Sequence, residues 1–300
     1  EHRYQPNTLA TTLRSSRGAR SKLIGVILPQ FTHYYFSCIL TGIEETCSKH
    51  GYQIIVAQSG DSYEREREII ESMRQTRVCG FIVSQAKETT CYDHFHEVVK
   101  DGSPIVFFDR ICTDIITNRV VVDDYTGAFT ATEYLIKTGC HRICFFGAAM
   151  NLEISKNRYN GYRDALLKYK LPVDKDLFRI CDNREEAEKL TPELMALENR
   201  PDGFFTINDD TALGVLYTCK RLGYNIPDDV SICGFTDGIR AKSCDPQLTT
   251  VEQRGYDVGV AAATCLIEEY EAEGEEKQKF RNRIIKTKLI VRGTTKPLTE

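Results

Sequence analysis

LIGVILPQFTHYYFSCILTGIEETCSKHGYQIIVA, residues Leu23 to Ala57, is a strand, a helix and a second strand laid end to end. Leu23–Leu28 is a continuous apolar run, the pattern of a strand covered on both faces rather than one. Tyr35–His50 reads as a helix stopped by Gly51, a residue suited to the left-handed position that follows a helix. Tyr52–Ala57 is apolar again and reads as a strand.

The same alternation continues in both directions along the chain. Tyr63–Gln75 is a charged helix with Ile69, Ile70 and Met73 towards the core, and Phe81–Val83 and Ile105–Phe108 are short strands flanking a helix Tyr92–Lys100. A second run follows. Val120–Val122, Ile143–Phe146, Phe204–Ile207, Val230–Cys233 and Ile284–Val291 are strands. Gly127–Thr138, Tyr159–Tyr169, Glu185–Glu198, Thr211–Leu222 and Tyr256–Glu269 are helices. Repeated strand–helix units with apolar strands imply parallel, doubly wound sheets. At 300 residues the chain exceeds the roughly 250 at which one core tends to divide, so two lobes are expected, with a ligand cleft between them.

Composition narrows the function. The apolar runs fall far short of the roughly 20 residues of a membrane helix, and no basic-then-apolar leader opens the sequence. Twelve cysteines lie mostly in apolar or helical runs such as RICFFG and SICGF, which points to a reducing cytoplasm. Cys91, His94 and His96 invite a metal reading, but on a helix His94 and His96 face nearly opposite sides, so no metal is expected. The net charge of −4 is unevenly placed: Arg3, Arg14, Arg17, Arg20 and Lys22 stand against Glu1 in the first 22 residues. A basic arm on an acidic body points towards DNA or is a solubilising tail. There is no phosphate-cradling loop, nucleophile elbow or dinucleotide fingerprint, so neither an enzyme nor a bound cofactor is expected.

The segment YQPNTLATTLRSSRGARSKLIGVILPQ, Tyr4–Gln30, resembles the lac-repressor/gal-repressor (LacI/GalR) family at the junction of DNA-reading headpiece and core. Pro6, Asn7, Ala10 and Leu13 match that family's hinge-helix pattern. Further matches follow in order: GFIVSQ (80–85), PIVFFDR (104–110), RYNGYRDAL (158–166), NDDTALG (208–214), IPDDVSICGF (226–235) and PQLTTVEQ (246–253). The resemblance implies a type I periplasmic-binding-protein-like core of two Rossmann-like lobes. The arm and hinge would span 1–21, the N-terminal lobe 22–138 plus 252–286, and the C-terminal lobe 139–251 plus 287–300, with crossings near Gly139, Val251 and Lys286. It also implies a helix-turn-helix headpiece, of which these residues hold only the exit sequence. The expected function is a ligand-responsive, cytoplasmic transcriptional regulator, a repressor of a carbohydrate-utilisation pathway, with a sugar or sugar-acid effector, operator DNA and a second copy of the chain as its expected partners. The alternative is a secreted sugar-binding protein of a transport system with the same fold.

The hinge residues implied are Asn7, Ala10, Leu13 and Arg14. Asn7–Ser15 is too short for a stable isolated helix and would fold against DNA, with Leu13 as a wedge in the minor groove. The effector residues implied are His33, Tyr35, Phe36, Asp109, Arg110, Arg158, Asn208, Thr236 and Gln253. His33–Ser37 (HYYFS) stands where relatives have Asn-Pro-Phe-Phe-Ser, and Tyr35 and Phe36 would face a sugar ring, though Phe36 also suits the start of a core helix. Asp109 and Arg110 follow a buried strand and must be paired or face a cavity. Arg158 opens a helix, where its charge calls for a partner. Asn208 caps a helix at the end of a strand. In GFTDG (234–238) Thr236 replaces the family's ligand-binding Asp, with Asp237 one residue on. That loss of an acid makes an anionic ligand more tolerable.

Overall fold

The computed structural model describes residues 21–273 and 280–298. The hinge positions Asn7, Ala10, Leu13 and Arg14 lie outside the described residues.

The first sheet is built from β1 (Leu23–Leu28), β2 (Gln53–Gln58), β3 (Gly80–Val83), β4 (Ile105–Phe108), β5 (Asn118–Val122) and β11 (Asn282–Ile285), in the order β11-β5-β4-β3-β1-β2. Its strands are parallel, with Val26 between Val56 and Ile82. The second holds β6 (Ile143–Gly147), β7 (Phe178–Ile180), β8 (Gly203–Thr206), β9 (Ser231–Thr236), β10 (Thr249–Glu252) and β12 (Lys288–Ile290), in the order β12-β10-β9-β8-β6-β7. Only β12 there runs antiparallel, against β10. Each sheet is covered on both faces by helices, which is why the strands are apolar throughout rather than alternating.

Helix α1 (Tyr34–Lys49) ends at Gly51 with φ +74°, as the sequence suggests. Helix α2 (Tyr63–Gln75) is capped by Ser62, whose side chain accepts from Arg65 N. Helix α3 (Asp93–Lys100) buries His94 and exposes His96; His94 Nε2 lies 3.0 Å from Oε1 of the fully buried Glu66.

One expected boundary differs. Helix α4 (Asp124–Lys137) packs Ala128, Ala131 and Leu135 against Phe145, Phe205 and Phe235 of the second lobe, and its neighbour there is α5 (Glu153–Lys168). The chain therefore leaves the first lobe at Asp123, immediately after β5, and not near Gly139. Counting strand–helix units attaches a helix to the strand before it, and no local signal says which sheet its apolar stripe will meet. The chain returns between β10 and α9 (Gly255–Glu271), a helix that packs on the first sheet beside α1. What reads as a single strand, Ile284–Val291, is split: β11 belongs to the first sheet and β12 to the second, with Lys286–Thr287 crossing between them.

The remaining helices, α6 (Arg184–Met195), α7 (Asp209–Arg221) and α8 (Ile239–Ser243), belong to the second lobe. Among the described residues no helix is long and apolar enough to cross a membrane.

Candidate functional site

Between the lobes lies a cavity of about 830 Å³, within the range of small-molecule sites. Its wall is made where strands end. Gln30 and His33 follow β1, Asp61 follows β2, Lys87 follows β3, Asp109 and Arg110 follow β4, Asp182 follows β7, Asn208 follows β8, and Gln253 follows β10. Carboxyl ends of parallel strands form such crevices because the chain must turn there, freeing side chains from the sheet. All nine effector residues implied by the sequence, His33, Tyr35, Phe36, Asp109, Arg110, Arg158, Asn208, Thr236 and Gln253, line this one cavity.

Backbone strain gathers here too. Asp61 (φ +65°), Asp109 (φ +56°) and Thr236 (φ +149°) line the cavity in conformations that L-residues rarely adopt. Such outliers cost about 1–3 kcal/mol each and collect at ligand clamps.

Arg158 is not where the sequence suggests. Helix α5 starts at Glu153, so Arg158 sits in its second turn, away from the positive end. Its need for a partner comes instead from burial at 4% exposure. Nε and Nη2 both reach Asp124 Oδ1 at 2.7 Å, Nη1 donates to the Ile207 carbonyl, and the guanidinium lies 3.7 Å above the Phe235 ring. Burial pushes the Asp124 carboxyl up to about 6, against the pull of Arg158.

Arg110 pairs with Asp61, leaving its buried Nε without a partner. The Tyr35 hydroxyl and His33 Nδ1 are likewise buried, so three polar atoms on one wall have no hydrogen-bond partner among the described residues. Burial raises the Tyr35 phenol well above its usual range and lowers His33, so the imidazole is held towards its neutral form. Burial also raises the Asp109 carboxyl, opposed by Arg110 and Arg158. Phe36 does two jobs: it lies in the first-lobe core edge-on to Phe108, and it lines the cavity. Asn208 accepts from Thr211 N at 2.8 Å as a helix cap, and donates to the Asp182 carbonyl at 2.7 Å. Thr236 donates to Gln253 Oε1 at 3.1 Å. Asp237 is absent from the cavity wall, held by Arg292 at 2.6 Å and Lys242 at 3.1 Å, so it does not stand in for the acid missing at 236.

Several site residues escape the sequence reading. Lys87, beyond β3, reaches Asp182 of the other lobe at 2.6 Å, while Asn151 of that lobe donates to the Lys87 carbonyl at 3.1 Å. Two hydrogen bonds from the second lobe thus meet on one residue of the first at the cavity wall. Asp61 and Asp182 each follow a short strand and could have been found by that rule; Asp124, facing Arg158 from another helix, could not.

Asp124 and the equally buried Asp209 are both raised to about 6, chiefly by burial, from an ordinary value near 3.8. A carboxyl raised in the folded state favours folding below its unfolded pKa, and that contribution is lost as pH rises through the folded value. Stability from these two groups should therefore fall between about pH 4 and pH 6–7. Thermal unfolding followed from pH 5 to pH 8 should show the decline, and Asp209→Asn should flatten part of it; an unchanged slope in that variant would contradict the assignment.

Comparison with known proteins agrees with this architecture. Residues 132–295 match the family described as periplasmic binding protein-like domain. The ribose operon repressor of Halalkalibacterium halodurans is 31% identical over 300 residues, which is 99% of this chain and 85% of that protein. The transcriptional repressor PurR of Vibrio parahaemolyticus is 28% identical, over 99% of this chain and 87% of its own length. Among solved structures, a LacI family transcriptional regulator from Enterococcus faecium with bound ribose superposes with a TM-score of 0.81 at 25% identity, covering 93% of this chain and all of that one. Two α/β lobes around a strand-end cavity define a periplasmic-binding-protein-like sensor core. The chain belongs to the LacI family of transcriptional regulators.

Proposed function

We propose that this chain is the effector-sensing part of a cytoplasmic, homodimeric repressor of a carbohydrate-utilisation pathway, binding a small sugar or sugar acid in the cavity between the lobes. The observation that carries this reading is the convergence of nine residues, spread from His33 to Gln253, on one cavity wall. Unpartnered Tyr35, His33 and Arg110 atoms provide hydrogen-bonding capacity that a polyhydroxylated ligand would satisfy. The bound ribose of the Enterococcus faecium regulator supports the same class. Operator DNA would be reached through the headpiece and through Asn7, Ala10, Leu13 and Arg14.

Effector binding closes the lobes, and closure carries the signal to the hinge. Only a ligand that prefers the closed state shifts that balance, and a coupling of about 1–3 kcal/mol changes DNA affinity roughly 5- to 150-fold. Titration calorimetry with a carbohydrate panel tests the reading: a hit whose affinity is unaffected by Arg158→Ala places the site elsewhere. Light scattering tests the dimer, and a monomer at micromolar concentration contradicts it.

The Lys87–Asp182 pair adds to closure. With side chains 33% and 22% exposed, it belongs with modest surface pairs. Such pairs contribute about 0.2–1 kcal/mol. Lys87→Met and Asp182→Asn should each weaken effector binding about 2- to 5-fold, and the double variant should lose no more than either single one. Fully additive losses would show that the two residues do not act together.

A further inference from the structure

Glu66, in the first turn of α2, is fully buried and lies off the cavity wall, and nothing in effector binding gives it a task. A buried carboxyl is costly unless its oxygens are hydrogen-bonded. Here one short stretch of chain supplies the bonds. Oε2 accepts from Ala86 N at 2.6 Å, Oε1 accepts from the Thr89 hydroxyl at 2.6 Å, and His94 Nε2 lies 3.0 Å from Oε1. Ala86 and Thr89 are the two ends of a β-turn beyond β3, closed by Thr89 N on the Ala86 carbonyl at 3.2 Å. Lys87 stands second in that turn. From there its Nζ reaches Asp182 of the second lobe at 2.6 Å, and its carbonyl accepts from Asn151 of that lobe at 3.1 Å.

The turn is thus anchored from beneath and presented above. Its ends are buried, Ala86 at 0% and Thr89 at 2% exposure, while the lysine side chain between them is 33% exposed. On the cavity side the same turn is held by Asp61: Lys87 N donates to its Oδ1 at 3.2 Å and Glu88 N to its carbonyl at 3.3 Å. That Oδ1 is also the atom that Arg110 meets, so this hold is shared with a group of the cavity wall. Glu66 is bonded only to Ala86, Thr89 and His94, all of the first lobe and none on the wall. A lysine on a loose turn must give up backbone as well as side-chain freedom to bridge two lobes, whereas on a turn fixed beforehand the backbone part is already lost.

We propose that Glu66 is a positioning residue for lobe closure: by fixing both ends of the turn Ala86–Thr89 it presents Lys87 to Asp182 and Asn151, and so sets how firmly the lobes hold together without touching the effector. This rests on the reading of closure as the signal and adds to it a group outside the cavity.

Hydrogen–deuterium exchange of the effector-free protein at pH 7 is the test. Glu66→Leu leaves Ala86 N and the Thr89 hydroxyl without their acceptor, and exchange across residues 86–89 should quicken at least about tenfold, as buried hydrogen bonds left unmade would give. Across the cleft, residues 149–152 should exchange about 2- to 5-fold faster, the scale of a modest surface pair. Glu66→Gln, which offers an acceptor on one side only, and Thr89→Val should give the same pattern at smaller amplitude, so the outcome does not depend on whether Glu66→Leu folds. Ile70→Val, a loss in the core of the same helix, should leave 149–152 at the wild-type rate. In a Lys87→Met, Asn151→Ala background, Glu66→Gln should still loosen 86–89 and no longer alter 149–152. Faster exchange confined to 86–89 would make Glu66 a structural group alone and overturn the proposal. Wild-type rates at 86–89, or an equal quickening of 149–152 in Ile70→Val, would overturn it too. A protein that meets these expectations and yet binds no member of a carbohydrate panel contradicts the carbohydrate reading and not this one.

Discussion

Replacing Arg158 with alanine is expected to abolish effector binding and to destabilise the protein by about 3–5 kcal/mol, the usual cost of removing one member of a buried ion pair. The variant loses the contacts to the Ile207 carbonyl and the Phe235 ring, but the larger effect is on Asp124, which stays fully buried with its charge uncompensated. For a protein of this size that loss lowers Tm by roughly 10 °C. The pH dependence identifies the cause. Asp124 already stands at about 6 with Arg158 present, and without it the carboxyl rises further. The deficit of the variant should therefore be small near pH 5, where Asp124 is protonated, and full by pH 8. Adding Asp124→Asn to Arg158→Met should recover most of the stability at pH 8 but none of the binding. A deficit equal at pH 5 and pH 8 would show that packing, and not the stranded carboxylate, accounts for the loss.

Gly259→Ala is expected to cost about 3 kcal/mol, and Gly259→Val more. A Cβ at Gly259 of α9 would lie 2.1 Å from the Ile39 carbonyl oxygen of α1, and one at Gly42 of α1 would lie 2.3 Å from the Tyr256 carbonyl oxygen. Both obstacles are backbone, so the two helices would have to move apart, forcing the surrounding core out of its packing. Alanine in a helix interior otherwise gains about 0.5–1 kcal/mol over glycine, so a net loss can come only from this contact. Because α1 opens with Tyr35 and Phe36, separation of the pair should weaken effector binding as well. The second lobe has the same construction: a Cβ at Gly161 of α5 would lie 2.4 Å from the Tyr125 carbonyl oxygen of α4. Denaturant unfolding checks both sites, and a Gly259→Ala variant as stable as wild type would contradict the close approach.

By itself the sequence determined the units and the wall of the site. Strands such as Leu23–Leu28 and Ile105–Phe108 are buried on both faces, so their identity is written as an apolar run with no need of a partner. The nine cavity residues were legible because each short motif keeps its order and spacing, and because Asp109 and Asn208 follow strands whose ends must face the crevice. Tertiary structure decided the rest. The stripe Ala128, Ala131, Leu135 would suit either sheet, and only the shape of the Phe145, Phe205 and Phe235 surface places α4 in the second lobe. The pairing of Arg158 with Asp124 and of Lys87 with Asp182 joins residues far apart in the chain, and a charged side chain carries no mark of the partner it will meet. That is why the loss of an acid at Thr236 suggested room for an anion, whereas in the folded cavity each lining lysine and arginine already meets a carboxylate. Electrostatic character belongs to the assembled pairs and not to the residues counted singly.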